Sequence, residues 1–114
     1  MDYTSSEKRK IVQDDYNAIA DLYAKCYSSI DYCKSYIDKF IADLTGRDVL
    51  DVGCGAGQIT NYLTQKGFDV AGLDFSQKIL RIAKQNFPNC KFIQTDICEY
   101  ERESQVDGII TKMF

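Results

Sequence analysis

Three glycines at alternate positions follow a short apolar run that contains the acidic residue Asp51. They belong to a segment, called the glycine loop below, that consists of Gly53, Cys54, Gly55, Ala56 and Gly57. Glycine has no Cβ, so it lets the chain turn sharply and lets a ligand approach the backbone. A helix that begins after such a loop presents free N–H groups and the positive end of its dipole. This combination is typical of a site for the polar end of a nucleotide-like cofactor.

The spacing of the glycines distinguishes between classes of cofactor. A dinucleotide-binding fingerprint has the spacing G-x-G-x-x-G/A, and its third glycine would have to stand where this chain has Gln58. A P-loop would need a G-K-[ST] sequence, which does not follow here. The loop therefore favours a nucleoside cofactor with a small zwitterionic tail over a nicotinamide dinucleotide.

A second acidic residue, Asp74, ends the next apolar run, 21 positions after Gly53. A carboxylate at the end of the second strand is placed to accept hydrogen bonds from ribose hydroxyls. The alternative is that Asp74 only starts a turn or caps the next helix. The glycine loop upstream favours the role in cofactor binding.

Taken in order, the motifs of this chain resemble those of the class I S-adenosylmethionine-dependent methyltransferases. The segments that are similar to the family's first four motifs are residues 51–57, 72–76, 92–97 and 106–110. Upstream, residues 16–23 resemble the helix that partly covers the cofactor in members acting on small molecules. The resemblance covers nearly the whole chain from about Asp15.

The resemblance implies that the cofactor is S-adenosylmethionine and that the methyl acceptor is a small molecule. It assigns Asp51 and the glycine loop to the methionine end of the cofactor, and Asp74 to the ribose. Asp96 and Ile97 are assigned to the adenine. The remaining predicted cofactor contacts are Phe75, Tyr16 and Tyr23.

Domains of this family continue past their fourth strand, whereas this chain ends at Phe114. We therefore expect a single partial domain over residues 1–114, the N-terminal, cofactor-binding half of a methyltransferase. The groups that position the acceptor are expected in the other half, so no catalytic residue is named. Two alternatives stay open, namely a non-catalytic cofactor-binding or interaction module and a fragment of an NAD-binding oxidoreductase.

Hydrophobic periodicity predicts two helices in residues 1–45, over 6–27 and 30–44, ahead of a cofactor-binding core in residues 46–114. The core is predicted to consist of strands 48–52, 69–73, 91–95 and 106–111 and helices 57–66 and 77–87. Ser76 is the expected N-cap of the last helix. Such alternation predicts an α/β fold with a parallel sheet and helices on both faces. The Rossmann-like methyltransferase fold implies the strand order 3-2-1-4.

Composition excludes several classes of function. The chain has no histidine, which rules out Ser-His-Asp and Cys-His catalysis and histidine-containing metal sites. Its five cysteines form no C-x-x-C pair, and without an export signal they indicate reduced thiols in the cytoplasm. The net charge of −3 argues against a nucleic-acid partner. No apolar run is long enough to span a membrane.

The predicted fourth strand carries Ile109 and Ile110 on opposite faces. We expect this strand to form an edge of the sheet. Exposed edges offer unpaired N–H and C=O groups to other chains. The sequence therefore predicts a homodimer that covers this edge.

Overall fold

The structure, a computed structural model, describes residues 29–102 and 105–111 of the 114-residue chain. The elements in this part are α1 (Lys34–Ala42), β1 (Asp48–Val52), α2 (Gln58–Gln65), β2 (Asp69–Asp74), α3 (Gln77–Asn86), β3 (Lys91–Gln94) and β4 (Gly108–Thr111). The predicted helix over residues 6–27 lies outside the described residues.

The four strands form one parallel sheet with the order β3-β2-β1-β4. This confirms the predicted order 3-2-1-4. The chain leaves β3 at one edge and returns as β4 beside β1, so the order reverses between β1 and β4. In open α/β sheets, ligands bind at the carboxyl ends of the strands near such a reversal.

Strand β4 begins two residues later than predicted because Asp107 makes a different contact with β1. The Asp107 N–H donates to the carbonyl of Asp48 at 2.8 Å, and its carboxylate accepts from the Asp48 N–H at 2.9 Å. A side-chain oxygen therefore takes the β1 amide that a longer β4 would have paired with a carbonyl. Regular pairing then runs from Gly108 opposite Val49 to Thr111 opposite Val52.

All three described helices pack on one face of the sheet. The core between this face and helices α1 and α2 consists of Ile37, Val49, Ile59, Leu63 and Val70. Helix α3 places Leu80 and Ala83 on Phe92 of β3. Phe92 lies on the same face as Val70, since it pairs with Gly72, two residues further along β2.

On the opposite face, the connection between β3 and β4 covers β1 and β2. Leu50 of β1 and Ala71 and Leu73 of β2 pack there with Tyr100 and Val106 of the connection. The described residues of the connection form turns rather than a helix. The predicted helices are therefore seen on one face only in the described part of the chain.

A turn closed by hydrogen bonds to Asp96 begins this connection. The Asp96 carboxylate accepts a hydrogen bond from the N–H of Cys98 at 2.9 Å. The Asp96 carbonyl accepts from the N–H of Glu99 at 2.9 Å.

The ends of the helices follow the signals in the sequence. Ser76 caps α3 as predicted, because its Oγ accepts a hydrogen bond from the N–H of Ile79 at 3.3 Å. Gly67, with φ of +92°, follows α2. The Arg47 guanidinium donates to the carbonyls of Lys66 and Gly67 at 3.5 and 3.4 Å. It thereby satisfies carbonyls that the end of a helix leaves without a partner.

Gly72 in β2 is a point of close packing beneath the glycine loop. A Cβ added there would lie 2.7 Å from Thr60 Oγ1, 2.9 Å from Phe92 Cδ1 and 3.0 Å from Cys54 Sγ. Real Cβ atoms do not approach their neighbours this closely, so a side chain at this position would displace its surroundings. Only glycine leaves room for the three side chains to meet over the sheet.

We predict that Gly72→Ala lowers the free energy of unfolding by about 1–3 kcal/mol, the usual cost of overpacking a core. Urea denaturation measures the loss. Cys54→Ala, which removes one of the crowding atoms, is made alone and in combination with Gly72→Ala. The double variant should lose less than the sum of the two single losses, because the sites are in contact. A Gly72→Ala chain as stable as the original contradicts the packing described here.

Tyr62 joins α2 to α1. Its hydroxyl donates to the Asp38 carboxylate, and the ammonium groups of Lys34 and Lys66 lie 6.0 and 5.3 Å from the centre of its ring. The hydrogen bond to Asp38 and, to a lesser extent, desolvation and the charge of Asp38 raise the pKa of the Tyr62 phenol.

We predict that Tyr62→Phe destabilises the chain at neutral pH and that this difference disappears in strong alkali. The folded state favours the protonated phenol, so its contribution is complete below the unfolded pKa of about 10. It is lost as the pH rises through the higher pKa of the folded state. Denaturant unfolding of both chains between neutral and alkaline pH tests this. A difference that stays constant over that range contradicts the role of the hydrogen bond.

Candidate functional site

The glycine loop turns directly after β1 and is fastened to the end of β2. Its three glycines have positive φ angles of 69°, 56° and 90° in chain order, a region that residues with a side chain rarely adopt. The N–H of Cys54 donates to the carbonyl of Leu73 at 2.9 Å. The N–H of Gly55 donates to the carboxylate of Asp74 at 3.0 Å. The loop is thus held against the neighbouring strand by two hydrogen bonds.

Asp74 ends β2 and is only 4% exposed. One carboxylate oxygen accepts from Gly55 N–H and the other from Ser76 N–H, both at 3.0 Å. These two amide bonds fix the direction of the carboxylate at the end of β2.

A cavity of about 280 Å³ lies at the carboxyl ends of the first three strands. Its wall consists of Val52, Gly53, Leu73, Asp74, Phe75, Thr95, Asp96 and Ile97. The volume is close to the lower end of the range for small-molecule pockets, about 300–1,000 Å³. An apolar wall with a few directed polar groups is also typical of such pockets.

Gly53 leaves one side of the cavity open. A Cβ added there would have no heavy atom within 4 Å, so the backbone at this point faces free space. A ligand can approach the main chain here without meeting a side chain. The cavity therefore opens toward the backbone of the glycine loop at Gly53.

The end of β3 forms the other wall and is fastened to β2. The N–H of Thr95 donates to the carbonyl of Asp74 at 2.9 Å. The amide of Gln94 donates to the carbonyl of Phe75 at 3.3 Å. The residues after β3 leave Ile97 about half exposed, at 47%. An apolar side chain that is this exposed at a cavity rim can cover the flat face of a ring.

The structure brings part of the predicted set together at this cavity. The predicted residues that line it are Gly53, Asp74, Phe75, Asp96 and Ile97. The predicted residues that do not line it are Asp51, Cys54, Gly55, Ala56 and Gly57. Tyr16 and Tyr23 lie outside the described residues. Direct contact between the cofactor and any of the twelve predicted residues stays a prediction.

Asp51 supports the glycine loop from below. It is 1% exposed, and its carboxylate accepts a hydrogen bond of 2.6 Å from the hydroxyl of Thr60. Cys54 is also buried, in contact with Leu80, Ala83 and Phe92. The structure thus shows a packing role for Cys54.

Sequence reasoning missed Val52, Leu73 and Thr95, which line the cavity, and Thr60, which holds Asp51. The apolar members look like ordinary core residues in the sequence. Their position was still available as a signal, because Val52 and Leu73 lie inside the motif segments 51–57 and 72–76, at the carboxyl ends of predicted strands. Thr60 gave no such signal, since its partner is nine positions away across a loop.

The described ranges contain no group of three or more metal-ligand side chains arranged to hold a metal ion. Within the same ranges, every helix is too short or too polar to cross a membrane.

Residues 49–114 match a family model described as a methyltransferase domain. The match covers more than half of the chain. The chain belongs to this methyltransferase family. Membership confirms the resemblance seen in the motifs and disfavours the alternative of an NAD-binding oxidoreductase. S-adenosylmethionine, the predicted cofactor, is the cofactor of this family.

Two curated relatives illustrate the match. The ubiquinone biosynthesis O-methyltransferase of Nitrosomonas europaea is 42% identical over 50 residues, which are 44% of this chain and 21% of that protein. The ubiquinone biosynthesis O-methyltransferase of Rickettsia bellii is 32% identical over 85 residues, which are 71% of this chain and 35% of that protein. The chain thus spans well under half the length of these methyltransferases.

Solved structures of methyltransferases share the fold. Magnesium protoporphyrin IX methyltransferase from Synechocystis with bound S-adenosylmethionine superposes with a TM-score of 0.79 at 22% identity, over 96% of this chain and 64% of that chain. A TehB-like S-adenosylmethionine-dependent methyltransferase from Corynebacterium glutamicum gives a TM-score of 0.67 at 26% identity, over 84% of this chain and 55% of that chain. The Rossmann-like methyltransferase fold is thereby confirmed.

Proposed function

We propose that this chain is the S-adenosylmethionine-binding part of a methyltransferase that acts on a small molecule. The observation that carries the proposal is Asp74, a buried carboxylate that two backbone amides hold in a fixed direction at the wall of a nucleoside-sized cavity. Such a carboxylate suits a ligand that presents hydroxyl donors. Ribose presents two of them side by side.

Each part of the cofactor has a matching part of the site. Asp74 would accept hydrogen bonds from the ribose hydroxyls, and the backbone at Gly53 would hold the methionine end. Phe75 and Ile97 would contact the adenine ring, and Asp96 would accept from its amino group. The apolar side chains supply area for the ring, and the carboxylates supply acceptors for its polar edge.

When bound, S-adenosylmethionine supplies a methyl group activated by a positively charged sulfur. The residues of this chain bind and orient that donor, and orientation alone is worth roughly 7–11 kcal/mol of the barrier in well-ordered sites. No residue of the described part is assigned as a catalytic base.

The class of acceptor follows from the named relatives. Two of them are named for ubiquinone biosynthesis and one for magnesium protoporphyrin IX, and both names refer to small molecules. We assign the same broad class of acceptor to this chain. A cytoplasmic location is part of the proposal. The four cysteines in the described residues form no disulfide, which is compatible with a reducing compartment.

The open edge of β4 supports the proposal that two copies of this chain associate. In the described residues, β4 pairs with β1 on one side and with no strand on the other. Ile109, on the face opposite the helices, is 58% exposed. A second copy placed about a two-fold axis would pair the same edge with itself and cover this side chain.

We predict that Asp74→Asn weakens the binding of S-adenosylhomocysteine by about ten- to hundred-fold, because hydrogen bonds to a charged acceptor are worth roughly 1.5–3 kcal/mol. Calorimetry measures the affinity. Asp69→Asn is the matched control, since it makes the same change on the exposed first residue of β2. Its affinity should equal that of the original chain.

Two outcomes contradict different parts of this proposal. Equal affinity of the folded Asp74→Asn chain removes Asp74 from the ribose site. If the original chain binds NAD and not S-adenosylhomocysteine, the assignment of the cofactor itself is wrong.

We predict that the original chain sediments as a dimer at micromolar concentration and that Ile109→Lys makes it a monomer. A lysine at an exposed edge opposes pairing with a second strand. Tyr32→Lys, at an exposed aromatic residue outside β4, is the control and should remain a dimer; Tyr32 is 53% exposed. A soluble monomer of the original chain contradicts the predicted association.

A further inference from the structure

Thr60 stands out among the residues that do not line the cavity. It lies in the first turn of α2, is 0% exposed, and donates a hydrogen bond of 2.6 Å to the carboxylate of Asp51. Asp51 is the last residue but one of β1. The bond therefore joins the end of β1 to the start of α2, and the whole glycine loop lies between the two bonded residues.

This bond adds to the hydrogen bonds from Cys54 and Gly55 that hold the loop to β2, because it fixes the two ends of the loop. Three of its five members are glycines with positive φ, which gain flexibility from the absence of a side chain. Gly57 is the N-cap of α2, and it has no side chain that could accept a hydrogen bond from the first turn of the helix. Fixing both ends of a short loop restricts the path between them.

The neighbouring strands confine the hydroxyl of Thr60 to a small space. Asp51 pairs in register with Gly72 of β2, and the Thr60 hydroxyl lies over this pair, 2.7 Å from where a Cβ of Gly72 would stand. The space that glycine leaves in β2 is thus occupied by the hydroxyl that holds Asp51. Threonine at this position supplies the hydrogen-bond donor for Asp51 and is small enough for the space above Gly72.

The bond also matters for the charge of Asp51. A buried carboxylate is costly unless hydrogen bonds compensate it. If the hydroxyl of Thr60 is lost, the carboxylate loses one short bond in a buried setting, and a shift toward another donor would compensate the loss. Such a movement displaces the end of β1 and, with it, the backbone at Gly53 that lines the cavity.

We propose that Thr60 is a positioning residue for the amino-acid end of the cofactor, acting through Asp51 on the path of the glycine loop. This inference rests on the proposed function, since it assigns the loop to the methionine end. In the proposed function, the nucleoside end is held by Asp74, Phe75 and Ile97, which lie at or just after the ends of β2 and β3. A loss at Thr60 should therefore affect one end of the ligand and spare the other.

The test compares two ligands that differ only in the amino-acid part. S-adenosylhomocysteine carries the whole tail, whereas 5′-methylthioadenosine is the same thioether nucleoside with a methyl group in its place. Calorimetry with each ligand is done on the original chain, on Thr60→Val, which removes the hydroxyl at equal size, and on Thr60→Ser, which keeps it. Thr64→Val is the matched control, because Thr64 lies one turn further along α2 and its hydroxyl donates to the carbonyl of Thr60 at 2.8 Å rather than to Asp51.

We expect Thr60→Val to weaken S-adenosylhomocysteine binding by about ten-fold or more, the effect of one lost hydrogen bond to a charged group. The affinity for 5′-methylthioadenosine should stay within about two-fold of that of the original chain, which corresponds to a few tenths of a kcal/mol. Thr60→Ser should restore the ratio of the two affinities, and Thr64→Val should leave it unchanged.

The inference is overturned if Thr60→Val weakens both ligands equally, since that is the result of a merely structural role. It is also overturned if S-adenosylhomocysteine affinity is unchanged, or if Thr60→Ser fails to restore it. Should Thr60→Val unfold the chain, Thr60→Cys replaces it, because it puts a thiol, only a weak donor, in place of the hydroxyl, and the same ratio of affinities decides. Failure of the original chain to bind either ligand is a different result, and it contradicts the proposed function.

Discussion

The hydrogen bond from the Gly55 amide to the Asp74 carboxylate is the contact on which the site depends. It ties the loop after β1 to the end of β2 at 3.0 Å, in a place where Asp74 is almost fully buried. A carboxylate in such surroundings needs hydrogen bonds to remain charged, and charge-assisted bonds of this kind are among the stronger ones in proteins. The same bond therefore stabilises the charge and sets the position of the loop. The cavity lies between the two segments that it joins.

The glycines of the loop serve packing as much as they serve the turn. A Cβ added to Gly57 would lie 2.6 Å from the ring of Phe92 and 3.2 Å from the Cβ of Ala83. Gly57 therefore lets the loop rest directly on β3 and α3. Phe92 also contacts Cys54 and lies 2.9 Å from where a Cβ of Gly72 would stand. The ring supports the loop from below, and small residues around it make the close approach possible.

The fold could largely be predicted because its signals are local. Each strand is a short apolar run, and each helix ends near a glycine, a proline or a cap such as Ser76, so the order of elements follows from the sequence. The position of Asp74 at the cavity could be predicted for the same reason. The burial of Asp51 could not be predicted. Alternation along a strand places Asp51 and Val52 on opposite faces of the sheet, but it does not tell which of the two side chains points toward the cavity. That depends on the packing of α2, and the sequence alone does not reveal the hydrogen bond from Thr60.

Strand β4 shows how a sheet edge can be fixed before any partner arrives. Asp107 pairs with Asp48 through both its amide and its carboxylate, and Arg102 lies 3.7 Å from the Asp48 carboxylate. On the helical face, a Cβ added to Gly108 would lie 2.5 Å from Leu44 and 2.9 Å from Phe40, so α1 rests directly on this strand.

These contacts fix β4 at its first residues, on its helical face and along the edge that pairs with β1. The other side and the face that carries Ile109 remain open in the described residues. An edge that is already ordered costs a partner little conformational entropy on binding, and this preorganisation favours association. The cavity lies at the ends of β1, β2 and β3, so a partner that pairs along β4 would complete the sheet without displacing any residue that lines the cavity.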